Sequence, residues 1–127
     1  MNNSYGPDRI IIKPTSIEEF HNLKKCCDVF FSPVVNKKCI LSSPLTWIEL
    51  LSTGVQIVMT SVPGTEKIII PGQTGYLCRS SEELVLNLKQ AINNYSIMRN
   101  YCNSMVNTNY NIEIITDSYL RLFNQRM

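Results

Sequence analysis

Residues 41–66 read LSSPLTWIELLSTGVQIVMTSVPGTE, and the fold turns on how this stretch is punctuated. Ser43 and Pro44 predict a helix start, because the first four N–H groups of a helix have no partner inside it and a proline there forfeits no bond. Gly54 predicts the stop. Residues 55–60 are an apolar run that reads as a buried strand, and a polar turn follows that ends in Glu66.

The same alternation extends upstream. Residues 28–32, DVFFS, predict a strand halted by Pro33, and the loop 34–42 after it carries Lys37 and Lys38. Ser16 and Glu19 make a capping box for a helix whose apolar face is Ile17, Phe20, Leu23 and Cys27, with Lys24 and Lys25 in its last turn. Residues 9–13, RIIIK, form a short β-branched run bounded by Pro14, which predicts a further strand. Residues 1–8 are polar and read as a loose leader.

Downstream, residues 64–70 read as a short helix or turn holding three consecutive isoleucines. Pro71, Gly72 and Gly75 then lead into a short edge strand at 76–78. The rest is helical by period. Ser80 with Glu83 predicts another capping box, and Leu84, Leu88, Ala91, Ile92 and Tyr95 share a face up to Asn93-Asn94. Ile97, Met98, Tyr101, Cys102 and Met105 mark a second helix, and Ile112, Ile115, Tyr119, Leu122 and Phe123 a third. Strands that alternate with helices predict an α/β domain with a mainly parallel sheet of about four strands. The single domain spans 1–127, with an α/β part at 9–78 and a helical part at 80–127.

Bulk properties narrow the function classes. A chain of 127 residues buries about two-thirds of its unfolded surface, enough for one independent core. The net charge of +2 comes with scattered basic residues, against a nucleic-acid footprint. Five cysteines without a C-x-x-C or paired histidine spacing argue against a disulfide framework or zinc site. Reduced thiols, no membrane-spanning run and no signal-peptide pattern predict a cytoplasmic protein with no cofactor or metal.

In a parallel sheet, ligands bind in the crevice beyond the C-terminal strand ends, where helix N-termini also lie. The N–H groups of Leu45, Thr46 and Trp47 and the positive helix end suit a phosphate. Glu49 stands roughly 9 Å along the axis from Ser43, at about 1.5 Å per residue, and tilts back toward the start. Ser43 and Pro44 also read as an ordinary helix start, and Glu49 as a solvated helix carboxylate. His21, the only histidine, reads as a surface or packing residue.

The order of these pieces resembles the C-terminal, nucleotide-sugar-binding domain of GT-B group 1 glycosyltransferases. Ser32-Pro33, the run PLTWIE at 44–49, GVQIVMT at 54–60, PGTE at 63–66 and PGQTGYL at 71–77 follow that family's order and gaps. The resemblance implies a truncated, Rossmann-like three-layer domain. It places Glu49 at the family's second acidic position, which contacts the nucleotide ribose. The first acidic position, which approaches the donor sugar, falls on Leu41, eight residues earlier. Ser42-Ser43 replaces a Gly-Phe pair and Pro63 a glycine. No segment before Arg9 supplies the family's basic pair for the diphosphate. Lys37 and Lys38 are either solvated or stand in for it.

The resemblance implies donor-binding positions at Glu49, Ser43, Pro44, Leu45, Thr46, Ser32, Thr15 and Glu66, with Thr60 and Ser61 as further strand-end polar groups. The implied ligand is a UDP-, GDP- or ADP-linked sugar, its sugar going to an acceptor hydroxyl only if a second domain or subunit completes the site. A non-catalytic remnant that binds a nucleotide or a protein is the alternative. An unrelated flavodoxin-like domain for another phosphate ligand also fits the alternation. Two family strands between 9–13 and 28–32 have no counterpart, so these runs pair directly or the sheet is completed by something else. The apolar face of the last helix also needs another surface to cover it.

Overall fold

The computed structural model describes residues 15–36, 38 and 45–125. The expected leader, the strand at 9–13, Lys37 and residues 41–44, which include Leu41, Ser43 and Pro44, lie outside them. In chain order the described elements are α1 (Ile17–Cys26), β1 (Val29–Ser32), α2 (Leu45–Ser52) and β2 (Gln56–Thr60). A turn of 3-10 helix (Thr65–Lys67), β3 (Gly75–Cys78), α3 (Ser81–Asn93), α4 (Tyr95–Asn109) and α5 (Ile112–Asn124) follow. The fold is α/β and Rossmann-like.

The three strands are parallel in the order β1-β2-β3, with Val29 opposite Gln56 and Ile57 opposite Gly75. Side chains alternate across a strand, and β2 shows it. Ile57 and Met59 join Trp47 and Leu51 of α2 and Cys102 and Val106 of α4. Val58 faces the other way, onto Cys78 and Ala91 of α3. Gln56 also turns to α3, where its side-chain amide donates to the Ala91 carbonyl at 2.6 Å. The layers are therefore α2 and α4, then the sheet, then α3.

Gly54 ends α2 as its sequence position predicts. Its φ is 84°, its N–H donates to the Leu51 carbonyl and the Val55 N–H to that of Leu50, both at 3.0 Å. That pair of bonds is the Schellman motif, which needs a left-handed residue at this point. At the other end of β2, the Ile68 and Ile69 side chains are buried. Thr74, fully buried, holds the turn into β3 by donating to the Ile68 carbonyl and accepting from the Ile70 N–H, each at 2.8 Å.

Three local expectations change in the structure. The Ser16–Glu19 capping box is complete, but at α3 the box is opened out. Ser80 accepts from the Glu83 N–H, whereas the Glu83 carboxylate accepts from the Arg79 N–H, one residue before the cap. The apolar face of α1 is not what that helix buries: Ile17 is 80% exposed, Phe20 and Leu23 are exposed, and Lys24 is buried. On α3 and α4, Ile92, Tyr95, Ile97 and Tyr101 face outward, while Ala91, Met98, Cys102 and Val106 face the core. Finally, α5 buries none of its side chains, in keeping with a face that needs another surface.

Candidate functional site

All three strands run the same way, so their C-terminal ends open onto one edge. The chain leaves β1 through Pro33 and Val34, β2 ends at Thr60, and β3 ends at Cys78 before Arg79 and the cap of α3. These residues line a crevice of about 330 Å³. Its floor is stitched across the strands: the Val34 N–H donates to Thr60 Oγ1 at 3.0 Å, and the Ser61 N–H donates to the Cys78 carbonyl at 2.7 Å. Ser80 and Ser81, at the start of α3, close one side. Arg79 is exposed at its rim, and a guanidinium there is suited to a phosphate because its planar fork pairs bidentately with oxyanions.

Apart from the crevice, an ion pair joins α1 to α2. The Lys24 ammonium donates to Glu49 Oε2. The two are unequally exposed, at 5% and 50% of the side chain. Phe20 lies under the same ammonium at 5.0 Å from its ring centroid, and Thr53 Oγ1 donates to the Lys24 carbonyl at 3.4 Å. The hydrogen bond from Lys24 holds the Glu49 carboxyl below its ordinary range; burial opposes this, and the charges of Lys24 and His21 add to it.

The residues singled out from sequence separate into groups. Thr60 lines the crevice. Leu45 is exposed and Thr46 half-buried in the first turn of α2, and Trp47 turns its ring into the core. Since α2 follows β1, that first turn lies at the same sheet edge. Ser32 is half-buried at the end of β1, Thr15 is exposed before α1, and Glu66 is exposed in the 3-10 turn. Lys38 is exposed, its N–H donating to Asn36 Oδ1 at 3.1 Å. Ser43 and Pro44 lie outside the described residues.

Sequence reasoning passed over Arg79, Ser80 and Ser81 as site residues because SSEE reads completely as a helix start. The signal that could have found them is topological: whatever follows a parallel strand lies at its ligand-binding edge. Among the described residues, no group of three or more His, Cys, Asp or Glu is placed to hold a metal ion. Nor is any helix among them long and apolar enough to cross a membrane.

The sequence model of the group 1 glycosyl transferases matches residues 5–111. The chain belongs to that family. The match takes in everything from α1 to α4, with the crevice and the Lys24–Glu49 pair, and stops at Asn111, the cap of α5. No curated protein matches the chain. Within this glycosyltransferase domain, the departures at Leu41, Ser42, Ser43 and Pro63 thus stand against a family pattern, and three of them, Leu41, Ser42 and Ser43, precede α2 in the sequence.

Proposed function

We propose that this glycosyltransferase domain binds the nucleotide part of a nucleotide-sugar at the C-terminal edge of its sheet. It transfers the sugar to an acceptor hydroxyl only when a second domain or subunit supplies the acceptor site. The observation that carries this reading is the crevice formed where β1, β2 and β3 all end, with Arg79 at its rim. Family membership makes a nucleotide-sugar the natural occupant.

In this reading the start of α2, with Leu45 and Thr46, and the exposed Arg79 face the diphosphate, while Ser43 and Pro44, outside the described residues, are donor-binding positions on the resemblance alone. A helix start supplies unpaired N–H groups and partial positive charge to an anion. Glu49 accepts from a ribose hydroxyl, and Ser32, Thr15 and Glu66 lie at the border of the donor. No cofactor or metal takes part. Transfer breaks the bond from the anomeric carbon to the phosphate oxygen, which leaves with the electron pair, and forms the bond to the acceptor oxygen, whose proton passes to the departing diphosphate. The domain acts by stabilising the leaving diphosphate electrostatically.

A second reading, nucleotide binding without transfer, is favoured by Leu41 at the family's first acidic position. An apolar side chain there offers the donor sugar no charge.

Titration calorimetry with UDP, GDP and ADP at low salt tests the proposal. One of the three is expected to bind, and Arg79→Ala to weaken it by about 1–3 kcal/mol, the worth of a charge-assisted hydrogen bond. Absence of binding by all three would overturn the donor site. Turnover of a nucleotide-sugar by the chain alone would overturn both the need for a second subunit and the non-catalytic reading.

A further inference from the structure

We infer that Lys24 is a positioning residue for nucleotide recognition, holding the Glu49 carboxylate through one oxygen so that it stays fixed and ionised for the ribose. This deepens the reading above and rests on it. Three observations converge on Lys24. Its side chain is 5% exposed although it ends in a charge. Its ammonium is spent on Glu49 Oε2, 25 residues away on another helix. Its stem and backbone are held as well, by Phe20 beneath the ammonium and by Thr53 at its carbonyl.

A lysine loses much rotamer freedom on burial, and an ammonium is desolvated only at a cost unless a counter-charge meets it. The carboxylate side of the pair is half open, so the group held by Lys24 is still reached from solvent. A carboxylate has about four acceptor sites, and a single donor leaves it capacity for a hydroxyl. A glutamate on a helix surface would sample several rotamers, and the clamp from α1 removes that freedom before a ligand arrives.

The arrangement also limits repulsion. A bare carboxylate beside a diphosphate repels it, and the adjacent ammonium offsets that charge at short range. The charges that act on Glu49 are those of Lys24 and His21, both on α1. Both favour its ionised form.

The test uses whichever of UDP, GDP or ADP binds, beside its 2′-deoxy and 3′-deoxy forms, on the full chain. Wild type is expected to prefer the ribonucleotide over one deoxy form by on the order of tenfold, the worth of one hydrogen bond to a charged group. Lys24→Met keeps the buried stem and removes the charge. It is expected to cut that preference to about twofold and to move the acid loss of preference to higher pH, with Lys24→Arg restoring part of it. Glu49→Gln, which keeps the helix surface, should abolish the part of the pH dependence that comes from the carboxylate. Lys24→Met that folds by circular dichroism and keeps the full preference would overturn the inference while leaving the donor site standing. If Lys24→Met does not fold, Lys24→Arg and Glu49→Gln decide, and an unchanged preference in Glu49→Gln overturns it. Absence of any nucleotide binding by wild type overturns this inference and the donor site together.

Discussion

Removing the Glu49 carboxylate would leave the Lys24 ammonium desolvated and without the partner it has among the described residues. Breaking a buried pair from one side costs several kcal/mol when both charges are enclosed. With Glu49 half exposed, water takes over part of its role, and Glu49→Ala should lower stability by about 1–2 kcal/mol in urea unfolding. The acid dependence follows from the same bond. The Glu49 carboxyl is lowered in the folded state, so its contribution is present above the ordinary carboxylate value of 4.5. It is lost as pH falls through the folded value. Melting temperatures taken from pH 7 down to pH 3 should fall less steeply below pH 4.5 in Glu49→Gln than in wild type. Parallel curves would show that the pair does not couple to folding. None of this was legible locally, because Lys24 and Lys25 both fit the last turn of a helix equally well, and only a contact 25 residues away separates them.

At the scale of elements, the start and stop signals carried most of the architecture. Ser16, Ser80 and Asn111 each accept at a helix start, and Gly54 closes α2 in a left-handed conformation. A Cβ on Gly54 would fall 2.4 Å from Arg99 Cγ, so strain and a side-chain clash add. Gly54→Ala should cost about 1–3 kcal/mol in chemical denaturation, and a neutral result would mean that the turn rearranges freely. Gly75 makes a stronger demand, since a Cβ there would sit 1.8 Å from the Ile57 carbonyl oxygen. Gly75→Ala should disrupt the β2–β3 pairing, seen as lost hydrogen-exchange protection for the Ile57 amide, which donates to the Thr74 carbonyl. What periodicity could not settle was which of two overlapping stripes a helix buries. On α4, Met98, Cys102 and Val106 are buried, the last two against α2 and β2, whereas Ile97 and Tyr101, one residue earlier, point outward. The choice is made by the partner and not by the helix.

For the whole molecule, alternation along β2 divides the core between two helix layers, and the cysteines report on it. Cys78 and Cys102 are buried on opposite faces of the sheet, while Cys26 and Cys27 are exposed. Burial pushes the Cys102 thiol up to about 12, so it is both shielded and protonated at neutral pH. Alkylation of the native protein should modify Cys26 and Cys27 quickly and reach Cys78 and Cys102 only on unfolding, and rapid native labelling of Cys102 would contradict the layered core. The family and the parallel sheet were readable from five short segments in order, because each marks a strand end or a turn. The crevice was only half readable. Its Thr60 wall follows from a strand that announces itself, but Arg79 and Ser81 belong to a helix start whose sequence is already explained by capping.

The proposed donor site puts the nucleotide where the three strands end. Amide chemical-shift mapping of the isotope-labelled chain, titrated with whichever of UDP, GDP or ADP binds, tests it most directly. The perturbed amides are expected to cluster at Val34, Thr60, Ser61 and Arg79 to Ser81, together with Leu45 and Thr46 at the start of α2. Perturbations confined to α4 and α5, with the sheet edge unmoved, would contradict it.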